Sequence, residues 1–106
     1  MKKQGGIEEI DQKISTIKKS LSKIGKMRPG SINEQFKDPK TKSGSYYQLN
    51  YTHKMKTRTE YIRRSNLEQL AQEVAEYQRF RDLIDEWVTL SIQSSKLRVK
   101  EKNGKA

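Results

Sequence analysis

Residues 44–52 read Gly44-Ser45-Tyr46-Tyr47-Gln48-Leu49-Asn50-Tyr51-Thr52. Tyr47, Leu49 and Tyr51 alternate with Gln48, Asn50 and Thr52. A period of two describes a half-buried strand with one apolar and one polar face. The rest of the chain is patterned mainly as helix, so this stretch makes the expected fold α+β. Downstream, His53-Lys54-Met55-Lys56 is a polar connection, and Thr57-Arg58-Thr59-Glu60-Tyr61-Ile62-Arg63 is a second strand, rich in β-branched and aromatic residues. Upstream, residues 37–44 form a polar loop containing Pro39 and Gly44. Before it, the Ser31…Glu34 spacing is that of a capping box for a short helix, whereas the alternation of Ile32, Glu34 and Phe36 favours a strand. The expected β unit, about residues 31–64, is thus an antiparallel hairpin or a three-strand meander. A two-stranded hairpin alone is marginal in water, so it needs a platform.

Helices flank this unit. Ile7, Ile10, Ile14, Ile17, Leu21 and Ile24 follow alternating spacings of three and four, an a/d heptad stripe that Met27 extends. Pro29-Gly30 stops it, which predicts a first helix over about residues 6–27. Isoleucine at both a and d disfavours a simple parallel dimer and favours antiparallel pairing within the chain. After the β unit, Ser65-Asn66-Leu67-Glu68 is a capping box opening a second helix. Leu67, Leu70, Val74, Tyr77, Ile84 and Val88 form its expected seam, widened by Ala71, Phe80, Leu83, Trp87 and Leu90. With no Pro or Gly before Gly104, it is predicted over about residues 66–98, about 50 Å at 1.5 Å per residue. Residues 99–106 read as a frayed basic tail. The expected architecture is a single domain, residues 1–106: a two-helix antiparallel hairpin with a long C-terminal helix and the β unit inserted between the helices.

The 106 residues carry 23 Lys and Arg against 13 Asp and Glu, a formal net charge of +10. Within residues 66–90 only Arg79 and Arg81 oppose Glu68, Glu73, Glu76, Asp82, Asp85 and Glu86, so one acidic block lies between basic segments. Clustered cations are the electrostatic footprint of a polyanion partner. No apolar run approaches the roughly 20 residues of a membrane span. No apolar segment follows Met1-Lys2-Lys3, so a cytoplasmic location is expected. The chain has no Cys and one His, which removes disulfides, thiolate catalysis and multi-His metal sites. Adjacent acids such as Glu8/Glu9 and Asp85/Glu86 diverge on a helix, and the Gly residues match no phosphate-binding loop. No enzyme and no cofactor are expected.

Several segments together resemble a known family: Arg28-Pro29-Gly30-Ser31, Glu34-Gln35-Phe36, Gly44-x-Tyr46-Tyr47-Gln48-Leu49-x-Tyr51, Lys56-x-Arg58-Thr59, and Ala75-x-Tyr77-x-Arg79-Phe80-x-x-Leu83-Ile84-x-x-Trp87. They resemble a family of small uncharacterised bacterial and archaeal proteins, often multi-copy and associated with transposase-like mobile elements. The resemblance covers about residues 7–98 and implies a mobile-element context and a nucleic-acid role. Many relatives carry a Cys-rich knuckle where this chain has Lys37 to Ser43, so no zinc site carries over. Relatives also tend to have Gly in the hairpin turn, where this chain has Met55.

The expected function is non-catalytic nucleic-acid binding, to DNA or RNA, as an accessory of a mobile element. Lys54, Lys56, Arg58, Arg63 and Arg64 would contact phosphates, and Tyr46, Gln48 and Asn50 would supply base contacts. The alternative is a coiled-coil interaction or assembly module with incidental charge, joined to itself or to a protein partner through its helices. In that reading Ile7, Ile10, Ile14, Ile17, Leu21 and Ile24 pack with Leu70, Val74, Tyr77, Ile84, Trp87 and Val88. No membrane partner is expected.

Overall fold

The computed structural model describes residues 2–105, with side chains over 6–104. The order of elements is α1 (Lys2–Leu21), β1 (Ser31–Asp38), β2 (Ser43–His53), β3 (Lys56–Ile62) and α2 (Arg64–Lys105). This is an α+β fold with a three-stranded antiparallel sheet between two helices in chain order. Residues 31–36 lie in a strand, not a capped helix. The chain forms two compact units, one of residues up to Ile24 together with Phe80 onward, the other of Gly25–Arg79.

The first unit is a helix pair. A Cβ at Gly6 would stand 3.9 Å from Leu97 Cδ1, and Lys18 Nζ lies 5.3 Å from the Trp87 ring centroid, so α1 and α2 run antiparallel. Ile17 and Leu90 are buried, and Ile7, Ile10, Ile14, Leu21, Leu83, Trp87 and Leu97 are half-buried. The heptad reading of α1 holds as far as Leu21 and then fails. Ser22 N bonds to Lys18 O, but Lys23 N and Ile24 N turn to Ser20 O and Leu21 O, three residues back. The Ser22 hydroxyl competes for the same last turn by donating to Lys19 O at 2.6 Å. The helix therefore tightens and ends, leaving Ile24 and Met27 outside it.

Helix α2 departs from its expected course in three ways. It begins at Arg64, with only Arg63 between it and β3, so Ser65…Glu68 lies inside the helix rather than capping it. It continues to Lys105, so the expected basic tail is helical, apart from Ala106, which lies outside the described residues together with the Lys105 side chain. Third, the expected seam does not run its whole length. Leu70, Val74 and Tyr77 are half-buried in the second unit. In the first unit the buried face passes through Leu83, Trp87, Leu90, Ser94 and Leu97, while Val88 is 52% exposed. Val88 and Ala71, expected in the seam, are thus exposed among the described residues. Ser94, only 1% exposed, occupies a seam position that its polarity concealed.

In the second unit the sheet order is β1-β2-β3. Ser31 pairs with Asn50 and Phe36 with Ser45; Tyr47 pairs with Ile62 and His53 with Lys56. The β1–β2 loop begins with Lys40 N donating to Asp38 Oδ1 around Pro39. The β2–β3 loop is two residues, Lys54 and Met55, with φ of 52° and 66°. Positive φ at both positions is what a type I′ hairpin turn demands, because its twist matches that of the strands.

One face of the sheet carries Ile32, Phe36, Tyr47, Leu49, Tyr51 and Ile62. Leu49 is wholly buried there. The connector from α1 closes over this face. Gly30, at φ 128°, lies so near β2 that a Cβ would meet Asn50 O at 2.6 Å and Tyr51 Cβ at 2.9 Å. Arg28 stacks 4.9 Å from the Tyr51 ring centroid and pairs with Glu60 Oε2 at 2.9 Å. The Tyr51 hydroxyl donates to that same oxygen at 3.1 Å. Arg28 N also donates to Glu73 O, and Gly25 N to Glu76 Oε2 at 2.7 Å, which ties the connector to α2. The Arg28-Pro29-Gly30-Ser31 motif is therefore a clamp on the sheet.

Candidate nucleic-acid interface on the sheet

The opposite face follows from the pleat. Side chains in phase with Gln48 are Ser31, Asn33, Gln35 and Lys37 on β1, Tyr46, Asn50 and Thr52 on β2, and Thr57, Thr59 and Tyr61 on β3. Across the strands they form rows: Ser31–Asn50–Thr59, Asn33–Gln48–Tyr61, and Gln35–Tyr46. Thr59 Oγ1 donates to Asn50 Oδ1 at 2.7 Å, and the Thr52 and Thr57 hydroxyls lie 2.8 Å apart. No strand acid shares this face, because Glu34, Asp38 and Glu60 are all in phase with Leu49.

Tyr46 and Tyr61 adjoin on this face, ring centroids 6.4 Å apart and planes tilted by 35°. Tyr61 is 69% exposed although it belongs to a strand. With Lys37, Gly44 and Ser45 the two rings line a groove of about 530 Å³. Gly44, at φ 68°, brings its backbone against the stem of Lys37, where a Cβ would sit 3.1 Å from Lys37 Cβ. Arg63, the residue between β3 and α2, follows at the Tyr61 end of β3 and is exposed. The face thus offers two rings for stacking, amides for hydrogen bonding, and cations at one end.

The expected contact residues are divided by this geometry. Tyr46, Gln48 and Asn50 share the face on which no strand acid lies. Lys56 and Arg58 do not: they are paired with His53 and Tyr51, on the face of Leu49 and Glu60. Alternation across β3 separates them from the amides, so one ligand surface does not contain both groups. Lys54 is exposed in the turn. Arg64 opens α2 and donates through Nη2 to Ser45 Oγ at 3.1 Å. Asn33, Gln35, Lys37 and Tyr61 join Tyr46, Gln48 and Asn50 on their face beyond the expected set, and the sequence signal for Tyr61 is its phase with Thr57 and Thr59.

The electrostatics of the two faces differ. On the clamped face the hydrogen bond from Arg28 holds the Glu60 carboxyl below the ordinary carboxylate range, against a smaller opposing effect of burial; Tyr51, then the charges of Arg28 and Arg58, add to the lowering. Among the described residues no group of three or more His, Cys, Asp or Glu is placed to hold a metal ion. No helix among them is long and apolar enough to cross a membrane.

A helical hairpin interrupted by a three-strand meander, with one face of the sheet clamped and the other open, polar and free of strand acids, defines a small basic α+β protein built around a presented sheet surface. The chain belongs to the family described as "Domain of unknown function (DUF6788)", which matches residues 7–72. That span takes in α1 from Ile7, the clamp, all three strands and the first turns of α2. No curated protein and no solved structure matches the chain.

Proposed function

We propose that this protein binds nucleic acid without catalysis, through the open face of its sheet. Unpaired bases stack on Tyr46 and Tyr61, the amides of Gln35, Gln48 and Asn50 meet base edges, and Lys37 and Arg63 meet phosphates. The observation that carries this reading is the pairing of exposed Tyr61 with half-buried Tyr46 beside Lys37 on a face with no strand acid. An antiparallel sheet with aromatic rings on its polar face suits splayed single-stranded bases, every one of which has a π-face. The net charge of +10 favours the same partner at long range. The resemblance to proteins associated with mobile elements supports an accessory role in the handling of such an element, in the cytoplasm.

Fluorescence anisotropy with labelled single-stranded DNA, single-stranded RNA and duplex tests the reading. Single strands are expected to bind more tightly than duplex of the same sequence. Replacing both Tyr46 and Tyr61 with Ala is expected to weaken single-strand binding by roughly thirtyfold or more, since stacking contributes about 1–3 kcal/mol per base and two rings are lost. Lys56→Gln with Arg58→Gln is expected to cost much less, because those cations project from the other face. No binding at low salt, or a tyrosine double variant that binds like the native protein, overturns it.

A further inference from the structure

The first unit leaves a second stripe of α2 exposed at Val88, Ile92, Ser95 and Val99, with Ile84 and Ser91 half-buried along its edge. Ile84, Val88, Ser91, Ile92, Ser95 and Val99 fall within an arc of about 100° at 3.6 residues per turn. Val88 and Ile92 are each 52% exposed and Val99 is 53% exposed. With Trp87 and Lys96, the stripe from Ile84 to Ser95 lines an open groove of about 540 Å³ formed by α2 alone. The face that α2 buries within its own unit is a different one, through Leu83, Leu90, Ser94 and Leu97.

The geometry points to a second copy of this chain as the occupant, docked antiparallel through a two-fold axis near residues 91 and 92. About that axis Ile84 meets Val99, Val88 meets Ser95, and Ser91 meets Ile92. Each β-branched side chain in the two inner pairs faces a small serine, so large and small residues interdigitate as close helix packing requires. Charge selects the same arrangement. Asp85 and Lys96 border the stripe on one side, and antiparallel docking brings the same border of the two helices together. The Asp85 of each copy then lies within a turn of the Lys96 of the other. A two-fold contact is self-complementary, so one such pair implies its twin. Arg81 and Lys102 oppose each other only at the outer ends of the contact, where water screens them. This inference does not depend on nucleic-acid binding.

Sedimentation equilibrium of the full chain, free of nucleic acid, tests it. The native protein is expected to be dimeric, and Val88→Glu with Ile92→Glu monomeric. Burying those charges in an apolar contact would weaken association by roughly a hundredfold or more. Both positions are half-exposed, so unchanged helical circular dichroism distinguishes lost association from lost folding. Asp85→Lys or Lys96→Asp alone is expected to weaken the dimer, and the two together to restore it. Because the chain has no Cys, single cysteines report orientation. Ser91→Cys should oxidise to a linked dimer, and Val99→Cys alone should not. A monomeric native protein, a dimer indifferent to Val88→Glu with Ile92→Glu, or a linked dimer through Val99→Cys overturns the proposal.

Discussion

At the scale of single residues, Gly30 and Met55 both hold positive φ, with opposite consequences for substitution. Gly30 has a φ reserved for glycine and no room for a Cβ beside Asn50 O. Gly30→Ala is therefore expected to destabilise the protein by roughly 2–4 kcal/mol, from strain plus overpacking, read as a lower urea midpoint. Met55 presents the reverse case. It holds φ 66° in a turn that favours glycine, and it is 97% exposed, so its side chain contributes no packing. Met55→Gly is expected to raise stability by roughly 0.5–1 kcal/mol in thermal denaturation, and an unchanged or lowered midpoint would contradict the turn geometry. Glu60 supplies a pH signature. Its folded pKa lies below its unfolded value, so its contribution is complete above the unfolded pKa and is lost as pH falls through the folded one. Glu60→Gln is expected to lower stability at neutral pH and to flatten the acid limb of the stability profile.

At the scale of elements, the strands were legible and the helix boundaries were not. Tyr47, Leu49 and Tyr51 announced β2 because alternation is a local property that burial on one face reinforces. The end of α1 was hidden because Ile24 and Met27 keep the apolar spacing after the helix has stopped. The competing hydroxyl of Ser22 and the bond from Gly25 to Glu76 decide the exit. Ser94 escaped notice for a different reason: a small polar residue can fill a tight seam once its hydroxyl is paired, and Arg98 Nη1 donates to it. Ser94→Leu is expected to cost about 1–3 kcal/mol by overpacking, seen as a loss of thermal stability with helicity retained below the transition. The candidate site was half legible. The amides and Tyr46 stand out on the polar phase of β2, but their separation from Lys56 and Arg58 needs the pairing of β2 with β3.

At the scale of the whole molecule, the excess of positive charge acts as a field rather than as a set of contacts. That field predicts salt-sensitive binding in which the two kinds of variant behave differently. Lys37→Gln with Arg63→Gln should reduce the slope of log affinity against log salt by roughly one per lost phosphate contact. Tyr46→Ala with Tyr61→Ala should lower affinity at every salt concentration and leave that slope unchanged. Titrations at several salt concentrations separate them, and equal slopes for native protein and cation variant would remove Lys37 and Arg63 from the interface.

By itself the sequence determined the order of elements, the α+β class, the apolar phase of each strand and the excess of positive charge, since periodicity, turn chemistry and composition act within a few residues. Only the tertiary structure decided which side chains share a surface. Strand register, a non-local pairing, puts Tyr61 beside Tyr46 and sends Arg58 to the opposite face. It also decided which stripe of α2 is buried. A helix can offer more than one apolar face along its length, and the face it loses from water depends on what packs against it, which no local pattern records.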